Sequence, residues 1–241
     1  MAAEPIPVIQ VSGPHREVGR QIGESLRPTI QRQLAQLHSE LPPGVDREAM
    51  WLKGQLCLQH TRQVYPQYVE ELAGIAEGAS ASFEEVFLSL CEELWEPAAW
   101  GITSPSRFSH GCTDFAARGR ATTDGSTLLG HTNDLIPEAE ADLVILKVQA
   151  GDEPEFLGVS VGGLGFSAGF NAAGISLTGN EVSCKDIRVG VPRLLIVRAI
   201  LAARRLGEAM DTCLLEQRAS SYNNIIADAC GEIYSVEGSA T

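Results

Sequence analysis

Apolar residues fall at Val18, Ile22, Leu26 and Ile30 and continue at Leu34 and Leu37, the recurrence of a helix with one buried face. That stripe predicts a first helix from about Pro14 until Pro42-Pro43 stops it, after a short β-like start, Ile6-Pro-Val-Ile-Gln-Val11. The same period predicts helices from about Arg47 to Tyr65 and from Gln67 to about Ala76, and Ser82-Phe-Glu-Glu85 has the spacing of a capping box opening a fourth. Between Glu96 and His110 there are two prolines, three serines and no period, so this stretch reads as an exposed connector.

Beyond the connector the period shortens to two. Cys112-Thr-Asp-Phe-Ala-Ala117 alternates as a strand, Thr123-Asp-Gly125 is a hairpin turn signal, and Ser126-Thr-Leu-Leu-Gly130 returns as its partner. Ala141 to Val148, the turn Gly151-Asp-Glu-Pro154 and Glu155 to Val161 continue what reads most simply as a β-meander. Phe166 to Val182 carries glycines at 169, 174 and 179, which suits strands packed closely against another sheet. Helices are expected again from about Val191 to Leu206 and from Glu208 to about Gln217. The chain closes with a hairpin of 223–228 and 232–237, turned by Ala229-Cys-Gly231. The order helices, strands, helices, strands predicts an α+β layered fold rather than an alternating βα one.

At 241 residues with a formal net charge of −13, a packed core is feasible and a polyanionic partner is disfavoured, which argues against nucleic acid. The N-terminus Met1-Ala-Ala-Glu-Pro-Ile-Pro-Val8 lacks a basic and apolar leader, and no apolar run of about 18 residues occurs; no membrane partner and a cytoplasmic location are expected. Six cysteines (57, 91, 112, 184, 213 and 230) include no Cys-x-x-Cys pair. A zinc site or disulfide framework therefore has no support, no metal or cofactor is expected, and most thiols read as small core residues.

Gly158-Val-Ser-Val-Gly162 matches the nucleophile elbow of serine hydrolases. That elbow must open a helix, however, and Gly163-Leu-Gly-Phe-Ser-Ala-Gly169 is a poor helix start. All five histidines also precede Ser160, against the chain order of that fold. Neither a phosphate loop nor a dinucleotide fingerprint fits the glycines. Cys112 differs, because it sits where connector meets strand, directly after Gly111. An unhindered glycine carbonyl before a nucleophile suits self-cleavage: the thiol attacks Gly111, the acyl group shifts to sulfur, and water releases Cys112 with a free α-amine. With an ordinary pKa of about 7.7–8.0, that amine could serve as base for its own thiol. A Gly-Cys pair alone is also met in ordinary packing.

The segment His110-Gly-Cys-Thr-Asp-Phe115, with Asp124-Gly-Ser-Thr-Leu-Leu-Gly-His-Thr-Asn-Asp134, resembles the acyl-coenzyme A:6-aminopenicillanic acid acyltransferase family (peptidase family C45, N-terminal-nucleophile or Ntn hydrolases). Gly169 to Asn180 and Asn223 to Glu237 resemble the same family, and the likeness extends more weakly to Gly13-Pro-His-Arg-Glu-Val-Gly-Arg-Gln-Ile-Gly23. The resemblance implies a four-layer αββα sandwich whose precursor cuts itself between Gly111 and Cys112. This divides the chain into an α-rich segment, 1–111, and a core segment, 112–241, the α and β subunits. It also implies Cys112 as nucleophile, Asp134 as the residue orienting the freed α-amine, and Asn180 as a donor to the tetrahedral oxyanion. Read without it, Asp134 is equally a turn residue after a strand, and Asn180 an Asn beside Gly at a strand end.

Two departures stand out. Thr132 occupies a position where many relatives have Asn, with Asn133 adjacent instead, so rearranged local hydrogen bonding is expected. The family also carries a His-Thr-Asn segment and an Arg downstream of the Val-Glu strand, which this chain, ending at Thr241, does not reach; the fold is expected to lack its C-terminal strands. The expected function is that of an autoprocessed cysteine amidohydrolase or acyltransferase acting on a small acyl amide or thioester. The alternative is a truncated or degenerate, catalytically silent member.

Overall fold

The computed structural model describes residues 5–37, 41–102, 111–180, 182, 186–220 and 222–240. Strand β1 (Val8–Gly13) leads into helices α1 (His15–Ser25) and α2 (Arg27–Leu37). Sequence periodicity predicts one helix here, but Pro28 lacks an N–H and its ring opposes the carbonyl of Glu24, so the helix breaks at Leu26. Helix α3 (Arg47–Val64) starts where expected because Asp46 caps it, accepting from the Ala49 N–H at 2.8 Å. Helices α4 (Pro66–Ala79), α5 (Phe83–Leu90) and α6 (Glu92–Trp95) follow. Ser82 does open α5, but its side chain makes no cap bond and Glu85 pairs with Arg47, so the capping box is positional only.

The connector needs correcting in its first part. Residues Pro97–Trp100 form a 3₁₀ turn with Pro97 buried, and Trp100 Nε1 donates to the Leu94 carbonyl at 2.7 Å. Residues 103–110 lie outside the described residues.

Two sheets follow. Strands β2 (Cys112–Gly119) and β3 (Gly125–Asn133) form a two-stranded hairpin of their own. The other strands are β4 (Leu143–Ala150), β5 (Phe156–Val161), β6 (Ala168–Asn171), β7 (Ser176–Asn180), β8 (Asn223–Ala227) and β9 (Ile233–Glu237). They run antiparallel in sequence order, with β1 added parallel to β4 at the edge. The expected meander is therefore real from β4 onward, but the first hairpin leaves it and packs against β7.

The register puts Leu146, Phe156, Leu177 and Ile226 on one buried face of the larger sheet. Helices α7 (Arg193–Ile200) and α8 (Leu206–Cys213) lie there with α1 and α4, and the hairpin covers β7 from the opposite side. Helix α7 is shorter than its apolar pattern predicts. The Asn171 amide donates to the carbonyls of Leu201 (3.0 Å) and Ala203 (2.7 Å), taking the acceptors a further turn would use. The glycines at 169 and 179 do mark close approaches, but to the Leu157 carbonyl and the Tyr222 ring, within this sheet and its flank rather than to a second sheet.

Candidate active site

The hairpin is built by local chemistry. Asp124 Oδ1 accepts from the Ser126 N–H at 3.0 Å, and Gly125 takes φ +78° in the turn. The register that follows pairs Cys112 with Asn133 and Asp114 with His131. Because side chains alternate, these four share one face, while Thr113, Phe115 and Thr132 share the other.

Cys112 Sγ donates to Asn133 Oδ1 at 3.4 Å. One rung beyond, the Gly111 carbonyl accepts from the Asp134 N–H at 2.9 Å. The Asp134 carboxylate lies against the same glycine: a methyl group on Gly111 would sit 3.3 Å from Asp134 Oδ2. The bond between Gly111 and Cys112 thus carries a polarised carbonyl, an unhindered α-carbon, a thiol on one side and a carboxylate on the other. Thr132 faces away, and its neighbour Asn133 makes the contact with the thiol.

Behind Cys112 on the same face, Asp114 Oδ1 meets His131 Nδ1 at 2.8 Å, with the two side chains only 2% and 9% exposed. Burial pushes the Cys112 thiol above its ordinary range, and the charges of Asp114 and, less, Asp134 add to this; the Asp134 backbone and Arg193 pull the other way. Sequence reasoning missed Asp114, His131 and Arg193 as site residues. The first two were legible in principle, since Cys112-x-Asp114 and His131-x-Asn133 are period-two pairs on facing strands.

Asn180 ends β7, the strand beneath the hairpin. Its Oδ1 accepts from Asn223 Nδ2 at 2.9 Å, and Asn223 Oδ1 accepts from Ser235 Oγ at 2.8 Å. This chain fixes the amide with its NH₂ edge left to donate, although its direct bond is to Asn223 and not to Cys112 or Asp134. Arg193, at the start of α7, packs over the Tyr222 ring at 4.1 Å and pairs with Glu92. Its backbone N–H donates to Glu93 at 2.7 Å, and Ser220 Oγ donates to the same carboxylate at 2.8 Å. Burial raises the pKa of Glu93.

Ser160 is 1% exposed, accepts from the Gly163 N–H at 3.1 Å and donates to the Gly165 carbonyl. It ties down the loop after β5, and no helix begins there. Cys57, Cys91 and Cys213 are buried, Cys112 is half-buried and Cys230 exposed; Cys184 lies outside the described residues. Among the described residues no three His, Cys, Asp or Glu side chains are grouped to hold a metal ion, and no helix is long and apolar enough to cross a membrane.

The thiol thus lies directly after a glycine carbonyl, on a two-stranded hairpin packed against a seven-stranded sheet. Residues 121–241, half of the chain, match the acyl-coenzyme A:6-aminopenicillanic acid acyl-transferase family, and the chain belongs to it. It is 27% identical over 221 residues to a beta-alanyl-dopamine/carcinine hydrolase of Drosophila melanogaster, covering 85% of this chain and 56% of that protein. It is 26% identical over 181 residues to an acyl-coenzyme A:6-aminopenicillanic-acid-acyltransferase 40 kDa form of Emericella nidulans, covering 74% and 48%. An uncharacterized protein of Archaeoglobus fulgidus is 25% identical over 209 residues, 80% of this chain and 34% of that one. The chain spans about half the length, or less, of these curated relatives.

Proposed function

We propose that this chain is the self-cleaving part of an Ntn-type amidohydrolase or acyltransferase of αββα architecture, with Cys112 as nucleophile. The observation that carries the reading is the geometry at one peptide bond. The Asp134 N–H holds the Gly111 carbonyl at 2.9 Å, while the adjacent Cys112 thiol is held by Asn133. In self-cleavage the sulfur adds to the Gly111 carbonyl, with the Asp134 N–H donating to the oxyanion. The C–N bond breaks as its nitrogen takes a proton, and water hydrolyses the thioester. The freed α-amine of Cys112, beside the Asp134 carboxylate, then takes the thiol proton during turnover.

In turnover the sulfur attacks the carbonyl of a small acyl amide or thioester, the leaving amine or thiol departs protonated, and water or an acceptor amine takes the acyl group. Asn180, its Oδ1 occupied by Asn223, donates to the oxyanion; a donor of this kind is worth about 10²–10³ in rate. An amide substrate is in keeping with the hydrolase named among the relatives. Segment 1–111 is then the α subunit and 112–241 the core of the β subunit.

The expected outcome is that intact-mass analysis finds two chains divided between Gly111 and Cys112, and that Cys112→Ala leaves one uncut chain without turnover on an amide panel. An uncut, fully active protein overturns this mechanism. An uncut wild type that turns over no amide favours a catalytically silent member.

A further inference from the structure

Three buried polar atoms lie between the hairpin and β7 without a hydrogen-bond partner: Asp114 Oδ2, His131 Nε2 and Thr178 Oγ1. The hairpin presents Cys112, Asp114, His131 and Asn133 on one face, and β7, against which it packs, brings Thr178 and Asn180 from the other side. A buried donor or acceptor left unpaired costs about 1–3 kcal/mol. A pair serving stability alone would be better replaced by apolar residues than kept half satisfied. The Asp114–His131 pair is nevertheless deeply buried, and it stands one same-face step from the thiol, within diagonal reach across the two strands.

We propose that Asp114, held by His131, is a positioning residue for Cys112: a buried charge on the nucleophile's own face that keeps the proton on the sulfur until it attacks. This rests on the reading of Cys112 as nucleophile. Other charged groups around the thiol are the Asp134 carboxylate, which acts in the same sense as Asp114, and the Arg193 guanidinium, which opposes it; on the facing side of the larger sheet β7 brings Ser176, Thr178 and Asn180, β8 brings Asn223 and Ile225, and β9 sets Glu237 opposite Asn223. Asp114 Oδ1 and His131 Nδ1 lie 2.8 Å apart, so the ring fixes the carboxylate on the face it shares with the thiol.

The chemical consequence follows from where negative charge travels. A resting thiolate beside Asp114 sets two negative charges together. When sulfur bonds to a substrate carbonyl carbon, the S–H proton passes to the base and the carbonyl π electrons move to oxygen, so the charge leaves the neighbourhood of Asp114. The thiol is therefore quiet in the resting protein and ionises only as it attacks. Fewer resting thiolates also mean slower adventitious oxidation and alkylation.

The test is the pH dependence of Cys112 alkylation by iodoacetamide, followed by mass spectrometry of the peptide that carries it. Asp114→Asn is expected to lower the midpoint by about one pH unit and to speed alkylation at pH 7 about tenfold. His131→Asn, which keeps a donor toward Asp114, is expected to leave the midpoint where the wild type has it. An unchanged midpoint in a folded Asp114→Asn protein overturns the assignment. If that variant does not fold, Asp114→Ser, which also removes the charge, is read in its place: a lowered midpoint supports the role, and an unchanged one overturns it. The peptide mass also shows whether Cys112 begins a chain or lies inside one. Failure of self-cleavage is thus read separately, with wild type and variant compared in the same form.

Discussion

Asn171 uses one buried amide to hold three parts of the chain. Its NH₂ donates to the carbonyls of Leu201 and Ala203, and its Oδ1 accepts from the N–H groups of Ala173 and Ile175, both at 3.0 Å. It thereby closes the turn between β6 and β7 and ends α7 at once. Asn171→Ala leaves four backbone groups without these bonds, and a loss of at least about 3 kcal/mol is expected by urea unfolding; a loss under 1 kcal/mol would count against the account. No local signal in the sequence marks this residue, because its partners at 201 and 203 are reached only after β7 has formed. The site was more legible. Cys112, Asp134 and Asn180 stand out through the resemblance, and Gly111 and Asp134 do meet at one peptide bond. The Asp114–His131 pair emerges only from the hairpin register, not from the hairpin's mere existence.

Helices α1 and α4 meet along glycines. A methyl group added at Gly19 would lie 1.9 Å from the Glu71 carbonyl oxygen, and one at Gly74 would lie 2.0 Å from that of Arg16. Gly23 and Gly78 repeat the contact one turn on, at 2.3 Å from the Ile75 oxygen and 2.1 Å from the Arg20 oxygen. Backbones this close leave no room for any side chain, so Gly74→Ala is expected to force the helices apart and cost at least about 2 kcal/mol. Gly207, helical and with nothing within 4 Å of its added methyl, is the control; Gly207→Ala is expected to be neutral or stabilising by up to about 1 kcal/mol. Thermal unfolding of both checks the contrast. The Gly-x-x-x-Gly spacing in both helices was present in the sequence. The hydrophobic stripe marks Val18 and Ile22 as core, as they are, but it runs unbroken through the helix break at Leu26.

Across the whole molecule, parts of the chain before and after Gly111 are joined by a buried ionic cluster. Arg198, 3% exposed, donates to both oxygens of Glu71 at 2.9 Å and to Glu153 at 2.8 Å. His15 Nδ1 meets Glu71 at 2.9 Å, and Tyr68 donates to Glu153 at 3.1 Å. Burial alone would raise the pKa of Glu71, but Arg198 and His15 outweigh it and hold the carboxyl below its ordinary range. A depressed folded pKa means that its contribution is complete above about pH 4.3 and is lost as pH falls through the folded value. Denaturation midpoints are thus expected to drop as pH is lowered below about 4. Glu71→Gln is expected to flatten that drop while costing about 3 kcal/mol at neutral pH; an equally steep drop in the variant would contradict this. The edge strand β1 makes the same join in another way. It comes from the N-terminal segment, yet it lies parallel to β4 in a sheet whose other strands all follow Cys112. A cut at residue 111 would therefore release no removable propeptide. The sheet would become a two-chain object with one strand on loan, and the shorter chain would stay as a permanent structural partner of the longer one.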